Sequence, residues 1–256
     1  MTENLLKIED LTPEQIASIC DHTFLSRSGS YRTKGQSAVR LREEAFKKFL
    51  QGTVDMKYKP YSVCVRAEDV RKVKAYFEKT GTKGIKIASV VGFPDGSYYS
   101  TPYKLFETEL AINDGACEID MVLKLCQFKN NVIDHVTRDI KAVVKAAHKR
   151  NAIVKVILET AELNLDEIKR CCELCEECNA DFVKTSTGFS MYGARAEDLK
   201  VMRANFSKGV KMSGGVNANN VKELLEAASG RTDGLIDLNP LKIRIGEGSM
   251  LGGDGY

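Results

Sequence analysis

Short runs of β-branched and apolar residues recur along the chain, each followed by a longer stretch whose apolar positions return every three or four residues. The runs are ICDHTFL, YSVCVR, IKIASVVGF, CEIDMVL, IVKVILET, DFVKTST, GVKMSGG and KIRIG. The stretches between them read as amphipathic helices: VRLREEAFKKFL, AEDVRKVKAYFEK, YKLFETELAIN, VTRDIKAVVKAAHK, LDEIKRCCELCEEC, AEDLKVMRANF and NANNVKELLEAA. Thr12 before Pro13 and Thr101 before Pro102 read as helix caps. A short helix, roughly Pro13 to Ile19, is expected to precede the first strand and cover the floor of the fold. Strands alternating with helices predict parallel βαβ units. Eight of them favour an α/β fold closed as a single (β/α)8 TIM barrel over an open doubly wound sheet, the alternative. After the eighth run only EGSMLGGDGY remains, so the last barrel helix is expected to be reduced or missing. No Pro-rich linker or composition break divides the chain, and residues 1–256 read as one domain.

Alternation within the strands sorts the charges, because successive side chains face opposite sides. Ile119 and Met121 oppose Glu118 and Asp120; Val154, Val156 and Leu158 oppose Lys155 and Glu159. Val183 opposes Lys184 and Ser186, and Val210 and Met212 oppose Lys211 and Ser213. Helices cover the outside of a barrel, so the apolar parity belongs there. The interior then receives Asp120, Lys155, Lys184 and Lys211, with Asp21, Thr23 and Cys64 from the first two strands. Buried charges are paired, shifted in pKa or used. Asp120, Lys184 and Lys211 stand towards the C-terminal strand ends, where barrel enzymes place their chemistry. The alternative is a structural ion-pair network.

Composition narrows the partners. Lys and Arg number 38 against 35 Asp and Glu, a net +3 that is too balanced for a nucleic-acid or membrane-surface protein. The opening MTENLLKIEDLT has acids and no apolar run, unlike a signal or transit peptide, and no segment reaches the ~20 apolar residues of a membrane span. Eight cysteines without a secretory signal point to free thiols in the cytoplasm.

Two lysines and an aspartate suit Schiff-base chemistry. An ammonium is no nucleophile, so such a lysine must be partly neutral despite a reference pKa of ~10.4. A second ammonium ~4 Å away repels by about 4 kcal/mol at an effective dielectric of ~20, enough to activate it. Lys184 and Lys211, from adjacent predicted strands, can be such a pair, with Asp120 relaying protons directly or through water and Lys155 orienting or competing for it. Thr187 and Gly188, Ser213 to Gly215, and Gly246 to Ser249 follow the sixth to eighth strands. Glycines let backbone N–H groups approach an anion there.

The runs ICDHTFL, YSVCV, VVGFPDG, GACEIDMV, VKVILET, ADFVKTSTGF, VKMSGG and IRIGEGS, taken in order, resemble the strand motifs of the deoxyribose-phosphate aldolases. The resemblance runs from about residue 10 to about residue 250, and ADFVKTSTGF is specific by itself. It implies a class I aldolase that reversibly cleaves 2-deoxy-D-ribose 5-phosphate to D-glyceraldehyde 3-phosphate and acetaldehyde, without metal or other cofactor. Lys184 then corresponds to the imine-forming lysine, Lys211 to the second lysine and Asp120 to the proton-relaying aspartate. Gly188, Gly214, Gly215, Gly246, Gly248 and Ser249, with Thr187, correspond to the phosphate side; Asp21, Thr23, Cys64 and Lys155 would serve the sugar. The last loop departs from the usual GTSS or GASS, and Glu247 implies an acid beside the phosphate. The segment from Ser26 to Ser37, with Arg27, Arg32 and Lys34, is a surface loop or a source of compensating cations. Tyr256 resembles a terminal tyrosine that enters the pocket as a proton shuttle in some members; a frayed end is the alternative. The implied partner is a small phosphorylated sugar, and a homodimer is compatible with this reading.

Other signals are discounted. Cys172, Cys175 and Cys178 have CxxCxxC spacing but lie, with Cys171, in a helical stretch, where steps of three turn the thiols apart. His22, His135 and His148 are not grouped at ligand spacing, and His22 has outward parity. GFPDG, Gly92 to Gly96, reads as a turn. The rival functions are another Schiff-base phosphosugar aldolase, such as a transaldolase, and a non-catalytic phosphosugar-binding barrel.

Overall fold

In a computed structural model that describes residues 5–31, 35–248 and 250–251, eight parallel strands close into a barrel. They are β2 (Cys20–Phe24), β3 (Ser62–Arg66), β4 (Lys86–Val91), β5 (Glu118–Val122), β6 (Ile153–Ile157), β7 (Phe182–Lys184), β8 (Gly209–Ser213) and β10 (Ile243–Glu247). β10 pairs with both β8 and β2, which closes the ring. Seven lie within the apolar runs read from the sequence and β10 extends one residue past KIRIG, so the barrel replaces the open sheet. A two-stranded antiparallel ribbon, β1 (Leu6–Lys7) with β9 (Leu235–Ile236), was not anticipated. Two residues per strand are too few for any period to register.

The helices are α1 (Pro13–Ala17), α2 (Ala38–Asp55), α3 (Val70–Thr80), α4 (Thr101–Asp114), α5 (Leu125–Lys129), α6 (Ile133–His148), α7 (Leu165–Glu177), α8 (Ala196–Asn205) and α9 (Val221–Ser229). Thr12 caps α1 in a box with Gln15. The cap of α4 is Ser100 rather than Thr101, whose hydroxyl instead donates to Asp139 at 2.7 Å. After β10 the described residues Met250 and Leu251 form a turn. No described helix is long and apolar enough to cross a membrane.

The strand parity holds around the ring. Val63, Val65, Ile119, Met121, Val154, Val156, Val183, Val210, Met212, Ile243 and Ile245 pack outward against buried helix residues such as Phe46, Phe49, Val73, Ile140, Val143 and Ile168. At roughly 25 cal/mol per Å² of apolar area, this layer is the main stabilising term of the fold. His22 faces it, stacked on Phe49 at 4.7 Å between ring centroids, and is bonded to Glu247 at 2.7 Å. The cysteines of α7 and Cys178 at its C-terminal cap are buried among these apolar residues, and burial pushes the Cys178 thiol up to about 11. Inside, Phe182 lies beside Gly209, where any Cβ would come within 2.3 Å of the ring. A glycine is therefore required at the start of β8.

Candidate active site

Four adjacent strands converge on one carboxylate. Asp120 of β5 is in register with Lys155 of β6, and Lys184 of β7 with Lys211 of β8. Asp120 Oδ1 accepts from Lys155 Nζ at 2.7 Å. Its Oδ2 accepts from both Lys184 Nζ at 2.9 Å and Lys211 Nζ at 2.7 Å. Sharing one oxygen holds the two nitrogens within the ~4–6 Å over which charges shift each other's protonation.

Beneath this group lies Arg244 of β10. Its guanidinium donates to Asp21 and to Glu118 (3.0 Å) and stacks on Tyr61, 3.9 Å from the ring centroid. Lys211 also lies 2.5 Å from Asp21 and Lys155 2.6 Å from Glu118. Four cations thus face three carboxylates, all of them buried. Burial alone would push the Asp120 carboxyl up, but Lys155, Lys184 and Lys211 outweigh it and hold it well below the usual range. Asp21 is likewise held low by Arg244 and Lys211 against the cost of burial. Burial would pull the Lys211 ammonium down, yet Asp120 and Asp21 reverse this and keep it charged.

Above the cluster opens a cavity of about 280 Å³. Lys184 reaches it from below, with Thr23, Leu25, Ser186, Thr187 and Ser213 on its walls and Gly188, Gly214, Gly215, Gly246 and Gly248 along one side. Gly214 has φ +80° and packs against Gly193, whose own Cβ would strike the Gly214 carbonyl at 2.0 Å. At Gly246 a Cβ would stand 2.9 Å from Ser213 and 3.2 Å from the Lys211 side chain, so the bare backbone leaves Lys211 its path to Asp120. Glu159, at φ +58°, is the kind of strained residue that clusters at functional sites. It accepts from the Thr187 amide and hydroxyl and clamps the turn that follows Lys184. A larger hollow of about 420 Å³, between α8 and α9, contains no member of the lysine–carboxylate cluster.

The structure brings together Lys184, Lys211, Asp120, Thr23, Thr187, Gly188, Gly214, Gly215, Gly246 and Gly248. Asp21, Cys64 and Lys155 are fully buried and off the cavity wall, beside the charges of the cluster. Glu247 borders the cavity, but the expectation of an acid against the phosphate is corrected: its side chain is buried and turned outward. It accepts from His22 and from the Met250 amide, because Gly246 takes the inward position of β10. Ser249, Tyr256, Arg32 and Lys34 lie outside the described residues. Arg244, Glu118 and Glu159 were missed as site residues. Their parity was the available signal, since Glu118 alternates with Ile119 and Arg244 stands between Ile243 and Ile245.

Comparison with known proteins agrees with this geometry. The family model described as DeoC/LacD family aldolase matches residues 21–238. A deoxyribose-phosphate aldolase of Thermococcus gammatolerans is 40% identical over 219 residues, 84% of this chain and 90% of that protein. One from Clostridium botulinum strain Langeland is 40% identical over 215 residues, 83% and 91%. The tetrameric deoxyribose phosphate aldolase structure from Aeropyrum pernix superposes with a TM-score of 0.72 at 26% identity, covering 95% of this chain and 93% of that one. A matched model spanning most of the barrel, and relatives of this identity over most of their length, lead to one statement: the chain belongs to the DeoC/LacD family of aldolases.

Proposed function

We propose that the protein reversibly cleaves 2-deoxy-D-ribose 5-phosphate to D-glyceraldehyde 3-phosphate and acetaldehyde through an imine on Lys184. The observation that carries this reading is the single Asp120 oxygen shared by Lys184 and Lys211 under a glycine-lined cavity. The relatives' names point to the same reaction.

Neutral Lys184 attacks the aldehyde carbon, and loss of water leaves an iminium. As the carbon–carbon bond breaks, its electron pair moves into the enamine while the neighbouring hydroxyl gives up its proton. A proton returned to the enamine carbon yields the acetaldehyde iminium, which water hydrolyses. A carboxylate held as low as Asp120 is a weak base alone. It can therefore hold the proton only in passing, relaying it through a water in the cavity between the substrate hydroxyl and the enamine carbon. Lys184 alternates between neutral forms (amine, enamine) and positive ones (ammonium, iminium). The neutral forms leave three cations, Lys155, Lys211 and Arg244, against Asp21, Glu118 and Asp120. The positive forms lie against Asp120. Lys155 and Arg244 position these acids from below. Gly188, Gly214, Gly215, Gly246, Gly248 and Ser249 are assigned to the phosphate, and Tyr256 to proton transfer at the enamine carbon.

The test is direct. Purified protein given deoxyribose 5-phosphate should release acetaldehyde and glyceraldehyde 3-phosphate in equal amounts without added metal. Acceptance of a ketose donor in place of acetaldehyde in the reverse direction would favour a transaldolase-type reading, and absence of cleavage would favour a binding barrel.

We further infer a cytoplasmic location, supported by eight free cysteines, and a homodimer. The dimer is supported by Tyr103, Phe106 and Leu110, spaced along one exposed face of α4, with Phe106 65% exposed. An isologous contact through this stripe would cover it. Phe106→Glu should shift the mass in solution from two chains to one; a monomeric parent protein would refute the idea.

A further inference from the structure

The cavity wall offers five glycines but, among the described residues, one cation, Lys184, and that nitrogen is taken up by the imine. Backbone N–H groups can cradle a phosphate, but a dianion that leaves water is held best by charge-assisted bonds. A further cation stands in the loop that follows β2. Arg27 follows Thr23 and Leu25, both on the cavity wall, by four and two residues. Its guanidinium carbon rests 4.6 Å from the centre of the Phe189 ring, and Phe189 is the residue after Gly188.

Phe189 is held in place on two sides. Its amide donates to Thr187 Oγ1 at 3.1 Å, and Phe93 meets its ring edge-on at 5.4 Å. The ring therefore parks the guanidinium beside the turn that lines the cavity. Arg42, Arg66, Arg71, Arg195 and Arg244 each hold a carboxylate, whereas among the described residues the Arg27 side chain makes no ion pair. Arg27 is also exposed, so its fork of five N–H donors is open to a ligand and the ring is a weak competitor for it.

We propose that Arg27 is the cation that captures the phosphate of the substrate, leaving the Phe189 ring for the glycine-lined side of the cavity when a phosphorylated sugar enters. The proposal takes the sugar's identity from the aldolase reading, but the anion site stands on its own geometry. A guanidinium suits a phosphate through two parallel bonds, which an ammonium cannot supply.

The experiment compares the parent protein with Arg27→Ala and Arg27→Lys. Binding of inorganic phosphate is measured by calorimetry at two salt concentrations, and KM is measured for deoxyribose 5-phosphate and for unphosphorylated deoxyribose. Arg27→Ala should weaken phosphate binding about tenfold and flatten its salt dependence. It should raise the KM ratio of phosphorylated to unphosphorylated sugar by a similar factor, with Arg27→Lys in between. A merely structural role would move both KM values together. Phosphate affinity unchanged in Arg27→Ala, or an unchanged KM ratio, overturns the proposal, as does a parent protein that binds no phosphate. A parent protein that binds phosphate through Arg27 yet cleaves no deoxyribose phosphate sinks the aldolase reading alone.

Discussion

Lys184→Arg is expected to lower turnover by at least ~10⁴-fold, the scale on which removal of a covalent nucleophile is felt. Arginine keeps the positive charge and the contact with Asp120, so the interior network and the fold should survive. What it lacks is a nitrogen that can be neutral at any working pH. Acetaldehyde and borohydride should leave one reduced two-carbon adduct on the parent protein, mapped by peptide mass to Lys184, and none on the variant. Lys184→Met is the companion variant, since it leaves three cations against three carboxylates in the cluster. It should fold and be equally inactive. An adduct that persists on Lys155 or Lys211 would move the chemistry elsewhere. Both are fully buried and within ion-pair distance of two or more carboxylates, and so are poorly placed to attack.

The second large effect concerns stability. Arg244→Met should destabilise the barrel by about 3–5 kcal/mol, the usual cost of removing one partner from a buried ionic network. For a chain of this size that is on the order of 10 °C in Tm. The guanidinium serves Asp21, Glu118, Ser62 and the Pro240 carbonyl together, and no methionine can replace those donors. The loss should depend on pH. Asp21 is held below its unfolded value by Arg244 and Lys211 against burial, so its ion pairs add stability above about pH 4 and lose it as the pH falls through the lower folded value. The gap between parent and variant should therefore be widest near neutrality and narrow in acid. Urea melts at pH 7 and at about pH 2.5 check this, with Arg244→Lys expected between the two. Equal midpoints at pH 7 would mean that Lys211 and Lys155 satisfy the acids unaided.

Much of this site is legible in the sequence. The two-residue period of a strand assigns each side chain to a face, and in a barrel the inner face has one destination. That is why Asp120, Lys155, Lys184 and Lys211 could be sent inward, and why Lys184 and Lys211, on consecutive strands, could be paired. The same rule applied to KIRIG and carried one residue further sends Arg244 in and Glu247 out. The family pattern at the last loop drew Glu247 to the phosphate instead, where its bond to His22 shows it does not point.

Sequence by itself determined the eight strands, the outer helices, the parity of the charges and the glycine-bearing turns, because these follow from local periods and backbone freedom. Tertiary structure decided which charges meet. Asp120 lies 64 residues from Lys184 and 91 from Lys211, and closure of the ring, not any local spacing, brings them onto one oxygen. Closure also set Arg244 under Asp21 and Glu118, and left Arg27 lying on Phe189. Contacts across a barrel depend on the stagger and tilt of all its strands at once, and no window of sequence contains that information.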